Sequence, residues 1–575
     1  MPTFAQRFLT SLSILTLSAA AFCASTVPGA AFEPTTPDET AIYNARLIPA
    51  PVAVEFGRRV VVLNDRLEVA LVLPDALAAD EAALGVIVQS TKAFLAEKFA
   101  VKVDPKAFSA TQAASMLKER AAQNAEFTQI AEAVAPTADF FKTPNASKIF
   151  AVADAAVAAD ASPAEIAEKR ETSAGTLVVA ASDAAGIRDS LKTIFQLAEP
   201  FGDSLKTSRF LIPETKIEDR PALGFRGIHL CWFPETNAAR IEQAIRIAAF
   251  YKFNYAVIEF WGTFPFENHP ELYWDEFHTT KEEVVRLAKL GKELGIELIP
   301  QLNIFGHATA ARVSVGKHVV LDRYPEYAPL FEPDGWTWRV SNPEARALLT
   351  ECVLELYETF DKPRYFHLGC DEAYSAATGF EARRGGPYVD ALAAWLVWFR
   401  DTLAERNCRV MMWHDMLIEP KPEFKGYVVS GGPKTRGLLE RLPKDVVVCD
   451  WEYYIKPPKD GKWPTTAFFQ SQGFDVLVCP WRDTTGIRSL ATYAAETNGM
   501  GVLCTTWHHF YGGDMRNILI YGAQAAWGTR YRGGNLNVEF NRHLKQASEP
   551  IKDKKYVVHG VNDWQVIPET NGPQG

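Results

Sequence analysis

The sequence predicts a (β/α)8 TIM barrel preceded by a smaller α/β domain, and three observations carry that expectation. From Leu223 onward, short apolar runs alternate with helical patterns, and eight such runs can be marked out. Near-continuous apolar strands suit a parallel sheet covered on both faces, and eight strand–helix repeats over ~320 residues suit a closed barrel better than a doubly wound open sheet. Upstream the rhythm is different, and the proline-containing stretch from Ile212 to Pro221 reads as a boundary between the two regions.

The elements follow in order. Arg7, an apolar stretch from Phe8 to Phe22 and the small residues Ala30-Ala31 read as a secretory signal over residues 1–31, and so as a secreted or periplasmic protein. The stretch is short for a bilayer span, and no later segment qualifies as one. Phe22 before Cys23 is too bulky for the usual lipid-attachment pattern, which argues against a lipoprotein. Residues 42–215 read as an N-terminal α/β domain, with strands over Arg59–Leu73 and Thr176–Ala180 and a long helical insertion between them. Ile187, Leu191, Ile194 and Phe195 have helical spacing. The barrel is expected over 220–545 and a C-terminal tail over 546–575. Its strands are placed at Phe225–Cys231, Tyr255–Phe260, Ile296–Leu302, Tyr365–Gly369, Val410–Trp413, Val446–Asp450, Val476–Cys479 and Val502–Thr505. Helices are placed at Ala238–Tyr251, Lys281–Leu294, Pro343–Phe360 and Tyr388–Glu405.

Composition narrows the function classes. The chain has 575 residues, more than one ordinary domain, with 47% hydrophobic and 23% charged residues as in soluble globular proteins. A net charge of −10 without a basic cluster argues against nucleic acid or an anionic membrane as partner. The cysteines are scattered singly within apolar runs and form no CxxC pair, so they read as small buried hydrophobes rather than zinc ligands. No cofactor or metal is implied.

In a barrel of this kind, chemistry belongs at the carboxyl ends of the strands. Those places hold His229 and Trp232; Glu259 and Trp261; Gln301, Asn303 and His307; Asp371 and Glu372; Trp413, His414 and Asp415; Asp450, Trp451 and Glu452; Trp481, Arg482 and Asp483; and Trp507, His508 and His509. Tryptophan recurs at six of the eight. Indole faces stack on the apolar faces of sugar rings, burying a large area at low entropic cost. Two adjacent acids at a strand end would ordinarily read as the first turn of a helix. In this company they read as the acid pair of a carbohydrate pocket.

The run His367-Leu-Gly-Cys-Asp371-Glu372 resembles the His-x-Gly-Gly-Asp-Glu signature of glycoside hydrolase family 20, the β-N-acetylhexosaminidases, with Cys370 in place of the second glycine. Leu47-Ile48-Pro49-Ala50-Pro51, the helix around Gly186–Leu197, Asp219-Arg-Pro with Phe225-Arg226-Gly227, and Ile299-Pro300 with Gly306-His307 are similar to further segments of that family. The resemblance implies a retaining exo-glycosidase that removes terminal β-linked N-acetylhexosamine (GlcNAc or GalNAc) from a glycan or glycoconjugate, with the substrate's own acetamido oxygen as nucleophile. By the same resemblance Glu372 is the general acid and then base. Asp371 holds the acetamido N–H, Arg226 clamps sugar hydroxyls, and His307 hydrogen-bonds near the acid. Trp413, Trp451 and Trp507 box the sugar and its acetamido methyl, with Trp481 counted among the substrate-binding groups. That division of labour calls for Glu372 raised by burial and Asp371 kept ionised by hydrogen bonds.

The departures from the family pattern are substantial. Cys231 and Pro234 stand where the first strand usually continues to an Asp and an Arg, and Glu259, Trp261, Gly262 and Thr263 where the second gives a His and paired Asp residues. Gln301 and Asn303 replace acids, no tyrosine follows Cys479 at the seventh strand, and Trp507-His508-His509 replaces Trp-x-Glu at the eighth. Tyr453 and Tyr454 are candidates for the missing tyrosine. Two other readings stand beside the hydrolase: a glycan-binding barrel with little turnover, and a metal-dependent barrel hydrolase built on His229, His307, His414, His508 and Asp371.

Overall fold

Phe225, Tyr255, Val257, Ile299, Met411, Val447, Leu477 and Leu503 face one another in a single buried cluster, and that cluster is the filling of a closed barrel. The structure, a computed structural model, describes residues 34–121, 139–153, 175–201, 209–234, 236–308, 318–380, 387–453, 456–507, 513–533, 536–547, 556–558 and 566–568. The signal-like segment 1–31 therefore lies outside the described residues, as do Tyr454, His508, His509 and much of the tail. Among the described residues no helix is long and apolar enough to cross a membrane. The seven cysteines from Cys231 to Cys504 are buried and free.

Eight parallel strands close the barrel: β8 (Phe225–Trp232), β9 (Tyr255–Phe260), β10 (Glu297–Gln301), β11 (Tyr365–His367), β12 (Arg409–Trp413), β13 (Val447–Trp451), β14 (Asp475–Cys479) and β15 (Gly501–Thr505), with β15 returning to β8. Every expected barrel strand is present, within about two residues of its expected ends. Strand side chains alternate, so Phe225, Gly227, His229 and Cys231 share the interior face of β8 while Arg226 takes the other. At the lower end Phe225 stacks on Tyr255 with ring centroids 4.1 Å apart.

The helices between strands carry their own start and stop signals. Asn237, Thr280 and Asn342 cap Ala238–Phe250, Lys281–Leu294 and Pro343–Thr359 by accepting first-turn N–H groups. Pro343 sits at a first-turn position, where a missing N–H costs nothing, and Gly295 ends its helix at φ 81.

The chain divides between Arg220 and Pro221, with Ile48–Ala50 grouped with the barrel. The N-terminal unit is a mixed sheet in the order β1-β7-β4-β5-β2-β3, with β6 on β7. Its strands are β1 (Ala53–Leu63), β2 (Glu68–Leu73), β3 (Lys106–Ser109), β4 (Ser147–Ala153), β5 (Gly175–Ala181), β6 (Glu199–Phe201) and β7 (Arg209–Asp219). Three expectations change here. Arg59–Leu73 is not one strand, because Asn64 accepts the N–H of Arg66 through its side chain (2.8 Å) and turns the chain. The long helical region is interrupted by β3 and β4. The proline stretch taken as a boundary is mostly β7. Pro213 lies opposite Val60 of β1, next to the register shift in the β1–β7 pairing, and between the stretches of β7 that pair with β6 (209–211) and β4 (215–219).

Candidate active site

The two acids reach one side of the chain because the turn after β11 is wound left-handed. β11 keeps its partners as it leaves the barrel: Leu302 N–H bonds His367 O, Ile304 N–H bonds Leu368 O, and Trp413 N–H bonds Gly369 O. Gly369 then sits at φ 66, Cys370 at φ 79 and Glu372 at φ 48. A Cβ on Gly369 would lie 1.9 Å from Asn303 Oδ1, so only glycine fits. Cys370 occupies a conformation natural to glycine, at a cost on the order of 1 kcal/mol, with its thiol buried and donating to Leu368 O at 3.3 Å. The β10 loop closes in from the other side. A Cβ on Gly306 would lie 1.8 Å from Asp371 O, and the next residue, His307, is itself at φ 51. The glycine before His307 is what brings the imidazole to the acids.

His307 Nε2 lies 3.3 Å from Asp371 Oδ2 and 3.2 Å from Glu372 Oε2. Tyr374 O–H donates to the other Glu372 oxygen, Oε1, at 2.6 Å. The Glu372 backbone is fixed at both ends: its N–H donates to Asp415 Oδ2 (3.0 Å), and its carbonyl accepts from Trp336 Nε1 (2.7 Å). Asp371 is buried, and its Oδ1 has no hydrogen-bond partner among the described residues.

The electrostatics invert the expected division. Burial pulls the His307 pKa down, but Asp371 and Glu372 outweigh it and lift the imidazolium to about 10. The hydrogen bond from His307, then that from Tyr374, outweighs burial and holds Glu372 below the ordinary carboxylate range. Burial raises Asp371 despite His307, with repulsion from Glu259 and Glu372 added. The reason is depth: the Asp371 side chain is 5% exposed and the Glu372 side chain 31%. Behind them, burial and the charge of Asp371 raise Asp415 to about 6.

Three of the tryptophans singled out in the sequence meet around Tyr453. Its ring lies 5.0 Å from Trp451, 5.4 Å from Trp481 and 6.4 Å from Trp507. Trp507 Nε1 donates to its hydroxyl at 2.9 Å, and Trp507 also meets Trp413 at 5.5 Å. Trp451 Nε1 reaches Asp415 Oδ1 at 3.3 Å, linking this box to the acid turn. Trp413 is fully buried and packs edge-on over His229 and against His367, so it forms the floor rather than an open wall.

Arg226 is a correction. It lies at the start of β8, at the opposite end of the barrel from the acids. Its guanidinium donates to the carbonyls of Lys252 (3.0 Å), Leu223 (3.2 Å) and Gly224 (3.3 Å), and packs over the Trp527 ring. The match to Arg-Gly holds in sequence, but the side chain takes the face opposite Phe225 and never enters the mouth. A sugar clamp at Arg226 is excluded by that placement.

At the ends of β8 and β9, His229 Nε2 meets Glu259 Oε2 at 3.0 Å, Cys231 Sγ donates to the same oxygen at 3.3 Å, and Asn303 Nδ2 donates to Glu259 Oε1 at 2.7 Å. Burial would raise Glu259, but His229 and Asn303 hold it at about 2. A third cluster joins His414, Asp450 and Glu452, with burial and Asp450 raising Glu452 to about 9.

These three groups, His229–Cys231–Glu259, His307–Asp371–Glu372 and His414–Asp450–Glu452, are the described sets whose donor atoms are close enough for a metal. His414 Nδ1 accepts the Trp451 N–H, so Nε2 carries the proton and offers no lone pair. His307 is held as imidazolium, and burial pushes the Cys231 thiol far up.

Sequence reasoning missed Tyr374 and Trp336 and gave Asp415 no role. Asp415 ends a strand beside the acids and could have been weighed. Trp336 lies in a long loop with no local signal.

A barrel with an acid pair, an imidazolium between them and an indole box at the strand ends defines a glycoside hydrolase scaffold. Residues 267–508 match the family model for the glycosyl hydrolase family 20 catalytic domain. Hexosaminidase D of Bos taurus is 25% identical over 249 residues, 42% of this chain and 66% of that protein. The chitooligosaccharidolytic β-N-acetylglucosaminidase of Bombyx mori is 23% identical over 198 residues, 32% of this chain and 33% of that one. The chain thus matches two thirds or less of these relatives' length. Among solved structures, the family 20 β-N-acetylhexosaminidase of Streptomyces coelicolor A3(2) superposes with a TM-score of 0.54 at 15% identity, covering 90% of this chain and 96% of that one. The Flavobacterium johnsoniae chitobiase gives 0.54 at 16%, covering 89% and 72%. At such identities the likeness is one of fold.

Proposed function

We propose that the protein is a retaining exo-acting glycosidase that hydrolyses terminal β-linked N-acetylhexosamine from glycans by substrate-assisted catalysis. The observation that carries the reading is the acid turn: two adjacent carboxyls, one buried and one open to the mouth, bridged by a single protonated histidine. Glu372, with Oε1 toward the mouth, protonates the glycosidic oxygen as the C1–O bond breaks and its electron pair goes to that oxygen. The acetamido oxygen forms the new bond to C1 with no external nucleophile. Glu372, now ionised, takes a proton from the water that opens the cyclic intermediate. Asp371, with a free Oδ1 in a dry site, accepts the acetamido N–H and steadies the positive charge that develops there. His307 between them holds the two carboxyls apart in role.

The match of residues 267–508 to the family model, the indole box and the named activities of the hexosaminidase relatives support this reading. Arg226 does not. We take the signal-like opening of the chain as placing the activity outside the cytoplasm. The test is turnover of aryl β-GlcNAc and β-GalNAc glycosides beside an aryl β-glucoside, with inhibition by a thiazoline mimic of the cyclic intermediate. Hydrolysis confined to acetamido sugars and blocked by the thiazoline is expected. Binding of acetamido sugars without turnover of any aryl glycoside would favour the glycan-binding barrel instead.

A further inference from the structure

Among the described residues, Tyr374 is the large aromatic side chain beside the acids that faces solvent: it is 67% exposed where Asp371 is 4% and Trp413 0%. It is nonetheless tied to the site. Its N–H bonds Glu372 O at 2.8 Å, its O–H donates to Glu372 Oε1 at 2.6 Å, and the next residue, Ser375, anchors the segment by donating to Thr337 Oγ1 at 2.8 Å. The two oxygens of Glu372 are thus unlike. Oε2 faces His307 Nε2, a protonated donor with no lone pair to receive anything. Only Oε1 can pass a proton to a leaving group, and the phenol oxygen of Tyr374 stands where that leaving group's oxygen must come.

We propose that Tyr374 builds the leaving-group side of the site: its hydroxyl marks the position of the glycosidic oxygen, and its exposed ring is the platform for the group attached to that oxygen. This rests on the hydrolase reading and adds to it the class of leaving group, a second sugar ring with a flat apolar face. When the substrate arrives, the glycosidic oxygen displaces the phenol from Oε1 and the freed ring packs beneath the leaving sugar. In the free protein the phenol's hydrogen bond also favours the ionised form of Glu372, so substrate binding and recharging of the acid are coupled through one hydroxyl.

The experiment uses the full chain, Tyr374→Phe and Tyr374→Ala, with a β-linked N-acetylglucosamine disaccharide and an aryl β-GlcNAc glycoside. Loss of the ring in Tyr374→Ala should raise KM for the disaccharide about tenfold, and less for the aryl glycoside. Tyr374→Phe keeps the ring but removes the donor. It should hold KM within about threefold and move the alkaline limb of kcat/KM upward. Disaccharide binding is measured in parallel by calorimetry in Glu372→Gln with and without Tyr374→Ala, and weakening by about tenfold is expected. If nothing is turned over but that binding difference persists, the hydrolase reading fails and the leaving-group role with it, and Tyr374 is a sugar-stacking residue of a binding site. Equal effects of Phe and Ala on KM, equal effects on both substrates, or no binding difference would overturn the proposal.

Discussion

Where β10, β11 and β12 end, polar groups stay committed to the mouth of the barrel: His307 spans two acids, Asp415 pins the Glu372 backbone, and Trp336 caps its carbonyl. Where β8 and β9 end, they have turned on one another: His229, Cys231 and Asn303 all bond Glu259, and His229 and Glu259 are 0% and 2% exposed. The family model begins its match at residue 267, after β9, so the matched part carries β10 to β15 and the open acids, and leaves out β8 and β9. A barrel can hold a reacting constellation on a few adjacent strand ends while the remaining ends are rebuilt, because each end is an independent loop on a shared frame.

The largest expected effects fall on the acid half. Glu372→Gln should reduce kcat by ~10²–10⁴-fold and Asp371→Asn by a comparable factor, read with an aryl β-GlcNAc glycoside. Gly306→Ala comes next. Its Cβ would meet Asp371 O at 1.8 Å, so the loop or the acid must move, and a misplacement near 1 Å costs ~10²-fold in kcat. Activity unchanged in that variant would break the claim that the glycine sets the acids.

The other half should respond in stability instead. Glu259→Ala leaves His229 without its buried partner and should cost on the order of 3–5 kcal/mol in denaturant unfolding, with a smaller loss of kcat/KM than Glu372→Gln. Arg226→Met, at the far end of the barrel, should lower Tm while leaving KM within about twofold. A selective rise in KM would restore the sugar clamp that its geometry excludes.

The smallest effect is the sharpest. His307 is the first cause holding Glu372 low, and a general acid must be protonated to act. The alkaline limb of kcat/KM therefore lies at acid pH in the wild type. His307→Asn should move that limb upward while lowering kcat, whereas a downward shift would contradict the ion arrangement.

Much of this was legible in the sequence. Apolar runs of parallel-sheet type gave all eight barrel strands, and Gly-Cys-Asp-Glu gave the acid turn, because both are local patterns. What was not legible depends on facing and depth. Arg226 and Gly227 match a motif, but one residue of alternation decides which face an arginine takes. The sequence places Asp371 and Glu372 side by side, and only the fold shows that one is buried and the other reaches out, which reverses their expected pKa directions. Tyr374, Trp336 and Asp415 meet Glu372 through loops, whose course no periodicity records. Likewise Pro213 read as a breaker because the sequence does not show that it falls beside a shift of register in a paired strand.

The central claim is that Glu372 is the proton donor of an acetamido-sugar hydrolase. Its most direct test is the rate of aryl β-GlcNAc hydrolysis by the full chain beside Glu372→Gln, both shown folded by matching Tm. The account predicts turnover by the wild type and a loss of ~10²-fold or more in the variant. Turnover that survives the substitution would contradict it.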